Sequence, residues 1–166
     1  MNTNIEPERS AGLESRQERL ARLRKGLAGA GVKLTHQRLE IFLSVADSDD
    51  HPDAEAIYKA VRRRVPTVSL DTVYRTLWML VDLGLISTVG LPKDRVRFDG
   101  NVEPHHHFVC TRCGRTADFT CPAFDRLAIP DAVKAMGSVE GAQVEVRGVC
   151  PSCSGKKASI NRAKRK

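Results

Sequence analysis

Ser69-Leu70-Asp71-Thr72-Val73-Tyr74-Arg75-Thr76-Leu77-Trp78-Met79-Leu80-Val81-Asp82-Leu83-Gly84 is the stretch on which the fold turns. Ser69 offers an N-cap hydroxyl and Gly84 a stop that tolerates left-handed backbone, so a helix is predicted through Leu83. At about 100° per residue Leu70, Val73, Leu77, Leu80 and Val81 share one face, while Asp71, Thr72, Arg75 and Met79 share the other. A buried stripe with a polar, basic outer face, preceded by the short break Val65-Pro66-Thr67, is what a helix-turn-helix presents to the major groove of DNA.

Upstream, Leu20, Leu23 and Leu27 recur at helical spacing and stop at Gly29 and Gly31. Thr35 is positioned to cap a second helix with Leu39, Phe42, Val45 and Ala46 facing inward. The acidic Asp47-Ser48-Asp49-Asp50 ends it; no EF-hand spacing follows, so this reads as a solvated turn. Pro52-Asp53 restarts a third helix to about Arg64. Downstream, Leu85 to Val89 and Arg95 to Phe98 flank Gly90-Leu91-Pro92-Lys93-Asp94 and read as a β-hairpin wing. Beyond Asp99 to Pro104 the pattern changes. Strands are predicted at His107 to Thr111, Arg115 to Phe119 and Gln143 to Val149, with a helix from Pro122 to Met136 interrupted near Pro130.

The expected class is therefore α+β: a charged leader (1–17), a winged helix-turn-helix DNA-binding domain (18–98), a hinge (99–104), a small α/β dimerisation and metal-binding domain (105–155) and a basic tail (156–166). The second unit is too small to bury much core alone, so zinc and dimerisation are its expected supports.

The net charge of +7 points toward an acidic partner, but residues 156–166 alone hold six basic residues and no acid, leaving the rest near neutrality. That tail reads equally as a solubilising end or a phosphate-binding arm, so nucleic-acid binding rests on the helical motif rather than on overall charge. No apolar run approaches the roughly 20 residues of a membrane span, and the polar N-terminus lacks a signal-peptide core. A cytoplasmic location without membrane attachment is expected, where thiols stay reduced and metal ligation is favoured over disulfides.

Cys110-Thr111-Arg112-Cys113 and Cys150-Pro151-Ser152-Cys153 form two CxxC knuckles separated by 36 residues, room for a helix and a strand. Four thiolates so arranged suit a structural Zn(II), against free thiols or a redox pair as the alternative. Cys121 stands apart and reads as a small buried side chain. In an extended segment His105 and His107 point to one face and can share a metal, while His106 points to the other. His106 and His36 read as surface polar groups, and spacing alone leaves His51 open.

Four segments in order, Gly31-Val32-Lys33-Leu34-Thr35-His36-Gln37-Arg38, His51-Pro52, Ser69 to Leu77, and His105-His106-His107-Phe108-Val109-Cys110-Thr111-Arg112-Cys113-Gly114, together resemble the ferric uptake regulator family over about residues 18–155. The resemblance implies a homodimeric winged-helix repressor of double-stranded DNA with a palindromic operator. It implies structural Zn(II) at Cys110, Cys113, Cys150 and Cys153, and a regulatory metal at His51, Asp99, His105, His107 and Asp118. Peroxide-responsive, PerR-like members carry aspartate at both Arg-Phe-Asp and Cys-Gly-x-x-x-Asp, where iron regulators typically have glutamate at the second and zinc-responsive members use a regulatory cysteine. Here the residues are Asp99 and Asp118, so peroxide sensing leads, by oxidation of His51 or His105 at Fe(II), with Mn(II) supporting repression alone. Plain iron or manganese response is the alternative. Three imidazoles and two carboxylates suit either ion, although raw affinity would favour zinc.

By family position, Tyr74 and Arg75 would enter the major groove, Lys33 a minor groove, and Arg38 would meet a phosphate; Tyr74 also lies near the buried face and could pack inward. Three features depart from the family pattern. His36 stands where proline is common, no histidine follows His107, and Pro130 interrupts a family helix. A zinc hydrolase using His105, His107 and Asp118 lacks any HExxH, nucleophile elbow or phosphate loop and leaves the helix-turn-helix pattern without purpose, while a metal-storage or carrier protein is the alternative that predicts no sequence-specific DNA affinity with Mn(II). No enzymatic activity is expected.

Overall fold

Residues 14–89, 96–139 and 141–155 are described by a computed structural model. Helix α1 (Arg16–Gly29) opens on a capping box: Ser15 Oγ accepts from the Glu18 amide, and Glu18 Oε2 accepts from the Ser15 amide at 2.7 Å. It thus starts before residue 18, and the Ser15-x-x-Glu18 signal was there to be read. Helix α2 (His36–Ala46) is capped by Thr35, α3 (Ala54–Arg62) by Asp53, and α4 (Leu70–Asp82) by Ser69. The third helix ends slightly before Arg64, and Gly84 takes φ +64° just past the end of α4.

These helices share one core. Leu23, Leu27, Ile41, Phe42, Val45, Ile57, Val61, Val73, Leu77 and Leu80 are fully buried, each such side chain contributing about 1.5–3 kcal/mol relative to exposure. Leu70 and Val81 are only half-buried, while Thr76, not expected inward, is buried. Against the helices lies the wing, β1 (Ser87–Val89) antiparallel to β2 (Arg97–Asp99), with Thr88 opposite Phe98. The expected strand start at Arg95 moves to Arg97, and the intervening turn lies outside the described residues. Phe98 drives into the helical core. Gly100 follows directly: a Cβ there would lie 2.5 Å from Ala46 Cα, so only glycine lets this chain pass α2 so closely.

A three-stranded sheet follows, in the order β4 (Thr116–Phe119), β3 (His106–Cys110), β5 (Glu145–Gly148). Strand β4 runs antiparallel to β3 through the tight turn at Gly114, and β5 runs parallel to β3. Between them, the expected helix from Pro122 to Met136 is instead two single turns, α5 (Pro122–Asp125) and α6 (Asp131–Lys134), with Pro130 as the N-cap of the second. Proline has no N–H to continue a helix and disfavours helical backbone before it, so the segment breaks rather than kinks. A last turn, α7 (Pro151–Ser154), carries the second cysteine knuckle.

This sheet unit is poorly covered. Leu127, Val133, Met136, Val139, Val146 and Val149 are exposed, Met136 at 84 %. The basic tail and residues 1–13 lie outside the described residues. Among the described residues, no helix is long and apolar enough to cross a membrane.

Candidate metal centres

The first CxxC knuckle forms where β3 turns into β4. The Gly114 amide donates to the Cys110 carbonyl at 2.9 Å, and Gly114 takes φ +69°, which folds the loop under its two sulfurs. Strand β5 delivers the second knuckle alongside, the Thr111 amide donating to the Gly148 carbonyl at 2.8 Å. Cys110, Cys113, Cys150 and Cys153 thereby bring their sulfurs within 4.8 Å of one another. Cys113 Sγ and Cys150 Sγ are 3.8 Å apart. A tetrahedron of Zn–S bonds of about 2.3 Å has edges of about that length, so the donor set fits Zn(II). Backbone amides of Cys150 and Cys113 pull the Cys110 thiol down to about 6, favouring the thiolate, whereas the Cys153 thiol, donating its hydrogen to the Cys113 and Cys150 sulfurs, is held up at about 12. A cation among the four sulfurs would lower all of them. Cys121 stays outside the cluster and is half-buried rather than buried.

The second centre draws on three parts of the chain. His105, at the entry to β3, and His107, within it, point to one face as extended backbone requires, and Asp118 faces His107 across the β3–β4 pair. Asp99 arrives from the end of β2 and His51 from the loop ahead of α3. His105 Nε2 lies 2.9 Å from Asp99 Oδ2; His107 Nε2 lies 3.3 Å from both Asp99 Oδ2 and Asp118 Oδ1; His51 Nε2 lies 2.8 Å from Asp118 Oδ1. All five side chains offer one ligand atom within 4.8 Å of the others, and all but Asp118 are buried.

Two backbone contacts orient the ligands. His105 Nδ1 donates to the Glu103 carbonyl at 2.7 Å, leaving Nε2 free, and Asp99 Oδ1 accepts from the Asn101 amide at 2.8 Å. Neither could be anticipated from side-chain spacing, because both partners are backbone groups. A cation fits here on the donor set and on the His51 ring: buried Nδ1 lacks a hydrogen-bond partner, and Nε2, 2.8 Å from Asp118 Oδ1, makes no directed hydrogen bond. Three imidazoles and two carboxylates suit Fe(II) or Mn(II).

Charge balance in the metal-free cluster is held by protons. Burial pushes the Asp118 carboxyl upward, but the His107 and His51 imidazoles outweigh it and hold it at about 2; Asp99 is likewise held below its ordinary range, chiefly by His105 and His107 against burial. Burial works against the His107 imidazolium, yet Asp118 and Asp99 raise it to about 9, and His105 moves up for similar reasons. At neutral pH a metal must therefore displace the His107 proton, and below about pH 9 each unit of acidification weakens binding. Mn(II) affinity is expected to rise up to about tenfold per pH unit between about pH 7 and 9, with proton release measurable in weakly buffered solution. Affinity flat across that range contradicts this electrostatic account.

His106 does not sit at the surface as expected. It is 2 % exposed on the opposite face of β3, its ring against Phe119 and Phe124, with Nδ1 accepting from the Val144 amide at 3.3 Å and Nε2 3.1 Å from Asp125 Oδ1. The aromatic cover comes from β4 and α5, which histidine spacing could not reveal. His36 is exposed.

On the helical side, Arg75 is exposed beside Asp71, 4.0 Å away, and Tyr74 is 42 % exposed, so it turns outward rather than packing inward. Lys33 is exposed, and half-buried Arg38 donates to the Lys33 carbonyl, holding the entry to α2.

Residues 29–145 match the model of the ferric uptake regulator family. The chain belongs to that family. As a member of that family it is a metal-responsive transcriptional repressor, built as a winged helix followed by a sheet unit with a four-cysteine zinc site. It is 33 % identical over 144 residues to the peroxide-responsive repressor PerR of Staphylococcus epidermidis, a match covering 87 % of this chain and 96 % of that one. Among solved structures, the Helicobacter pylori ferric uptake regulator superposes with a TM-score of 0.72 at 24 % identity, covering 90 % of this chain and all of that one, which speaks to fold alone. The Campylobacter jejuni peroxide stress regulator superposes at 0.58 with 25 % identity, covering 81 % and 98 %.

Proposed function

We propose that this chain is a homodimeric repressor that binds palindromic operators when Fe(II) or Mn(II) occupies His51, Asp99, His105, His107 and Asp118, and that peroxide relieves repression by oxidising His51 or His105. The observation carrying this reading is the cluster itself: five nitrogen and oxygen donors, no thiolate, contributed by the helical unit, the wing and the sheet unit together. The 33 % identity to a peroxide-responsive repressor supports the same choice. In this reading residues 18–98 form the DNA-binding unit, 99–104 the hinge and 105–155 the dimerisation unit, with Cys110, Cys113, Cys150 and Cys153 holding structural zinc. The exposed apolar side chains of the sheet unit would be covered by a second copy.

Drawing His51 toward Asp99 and the β3 histidines fixes the angle between helices and sheet. In a two-fold dimer that angle sets the separation of the two α4 helices, so metal and DNA affinities rise together. Arg75 and Tyr74 would then face base edges, with Lys33 and Arg38 meeting the flanking backbone. A bound Fe(II) would supply the reducing centre at which hydrogen peroxide gives up one oxygen atom to an imidazole carbon and leaves as water. An oxidised His51 or His105 presents an altered ring to the cluster, and the joint between helices and sheet loosens.

The test uses duplexes selected from a random pool by the Mn(II)-loaded protein. DNA affinity is measured by fluorescence anisotropy with Mn(II) or Fe(II), each before and after peroxide, with mass spectrometry of the protein. Loss of binding only with Fe(II) and peroxide, with one added oxygen on His51 or His105, is expected. Metal-dependent binding without that oxidation would leave an iron- or manganese-responsive repressor as the function.

A further inference from the structure

His51 carries an unusual backbone. Its φ is +46°, and among the described residues it is the one non-glycine in the left-handed region. It also precedes Pro52, which restricts the preceding residue toward extended conformations, so the left-handed backbone is strained. Something must hold it, because the conformation aims the imidazole inward at Asp99 and Asp118.

The restraint comes from β2. The Phe98 amide donates to the Pro52 carbonyl at 3.0 Å, and Arg97 forms a bridge with Asp53. The Arg97 side chain completes it: Nη1 donates to the His51 carbonyl at 3.0 Å and reaches the Asp50 carbonyl at 3.5 Å. Its other terminal nitrogen lies against the first cysteine knuckle, 3.6 Å from where a Cβ at Gly114 would stand. One guanidinium thus spans the loop that carries His51 and the loop that carries Cys110 and Cys113.

We infer that Arg97 is a positioning residue for the regulatory metal: it locks the left-handed backbone of His51 against the zinc knuckle and so presents the His51 imidazole to the other four ligands. Among the described residues, the hydrogen bonds of its side chain go to the Asp50 and His51 carbonyls and not to a ligand side chain. Its effect passes through the His51 carbonyl, the way an outer-shell partner orients a ligand. The planar guanidinium suits this, since it donates in several directions from one fixed plane, which a lysine ammonium on a single stem cannot reproduce in full.

This inference rests on the proposed metal-binding role of the five-residue cluster, and its test is arranged so that the two can fail separately. Mn(II) is titrated into the full-length zinc-loaded protein and followed by electron paramagnetic resonance, with zinc content and melting temperature of the Mn(II)-free form measured alongside. If the parental protein binds no Mn(II), the reading of the cluster fails before Arg97 is tested. Given parental binding, Arg97→Ala is expected to weaken it by about 10- to 100-fold, with Arg97→Lys intermediate and zinc content unchanged. In a His51→Ala background, Arg97→Ala should cost nothing further, since the residue it positions is gone. Parental affinity in Arg97→Ala overturns the inference, and so does an equal loss with and without His51, which would mark a general structural role. Should Arg97→Ala lose its zinc, the same cycle is run with Arg97→Lys and read by the same criterion.

Discussion

Replacing Cys150 with serine is expected to abolish zinc binding and unfold the sheet unit, leaving the helical unit folded but monomeric. The expectation follows from what that unit lacks. Leu127, Val133, Met136, Val146 and Val149 are exposed, so the zinc knuckles tie β3, β4 and β5 together in place of a large core. Structural zinc contributes on the order of 10 kcal/mol to small folds of this kind, more than any other single feature here could replace. Cys150 is also the cysteine whose amide donates to Cys110 Sγ at 3.3 Å, so the knuckles meet at this residue. Zinc stoichiometry, size-exclusion chromatography and a thermal melt would show it. Full zinc content with an unchanged oligomer in the Cys150→Ser protein would remove the sulfur cluster from its supporting role.

Asp99→Ala carries the second largest expected effect. Asp99 is buried at the end of the wing and its carboxylate reaches His105 at 2.9 Å and His107 at 3.3 Å, so its loss removes a proposed ligand and the wing's link to β3 together. Mn(II) affinity is expected to fall on the order of 100-fold or more, above the effect of losing an outer-shell partner. Metal-dependent DNA affinity should fall with it, because the two are coupled through one equilibrium. The zinc cluster, on other strands and loops, should remain filled. Retained operator binding by Asp99→Ala at parental Mn(II) concentrations would uncouple the cluster from DNA recognition.

The parts of this fold legible in sequence are those decided locally. Thr35, Asp53 and Ser69 announce helix starts because a cap needs only one oxygen within three residues, and the buried stripe of α4 follows from its own periodicity. The four-cysteine cluster was legible from its two CxxC pairs, whereas the set of His51, Asp99, His105, His107 and Asp118 came only from the family resemblance; the structure places the donor atoms of each set within 4.8 Å of one another. The failures are non-local. His106 looked like a surface residue because the Phe119 and Phe124 rings that cover it come from other elements. The helix expected from Pro122 to Met136 followed apolar periodicity, but the proline at 130 and the lack of a surface to pack on leave only two turns. The parallel pairing of β3 with β5 joins segments far apart in sequence, and no pattern within either strand encodes it. The strained His51 and its hold on Arg97 required coordinates, since a positive φ on histidine has no sequence marker.

Trp78 is the only tryptophan in the chain, and it stands half-exposed on α4 with its indole edge-to-face on Phe98 at 6.0 Å between centroids. Phe98 is next in sequence to Asp99, so the indole sits on α4, the proposed recognition helix, while touching the strand that carries a proposed metal ligand. The molecule therefore carries its one tryptophan at the junction whose angle the proposed metal would set. Emission from the unlabelled protein can report the closing of that junction in real time, without a dye to disturb it.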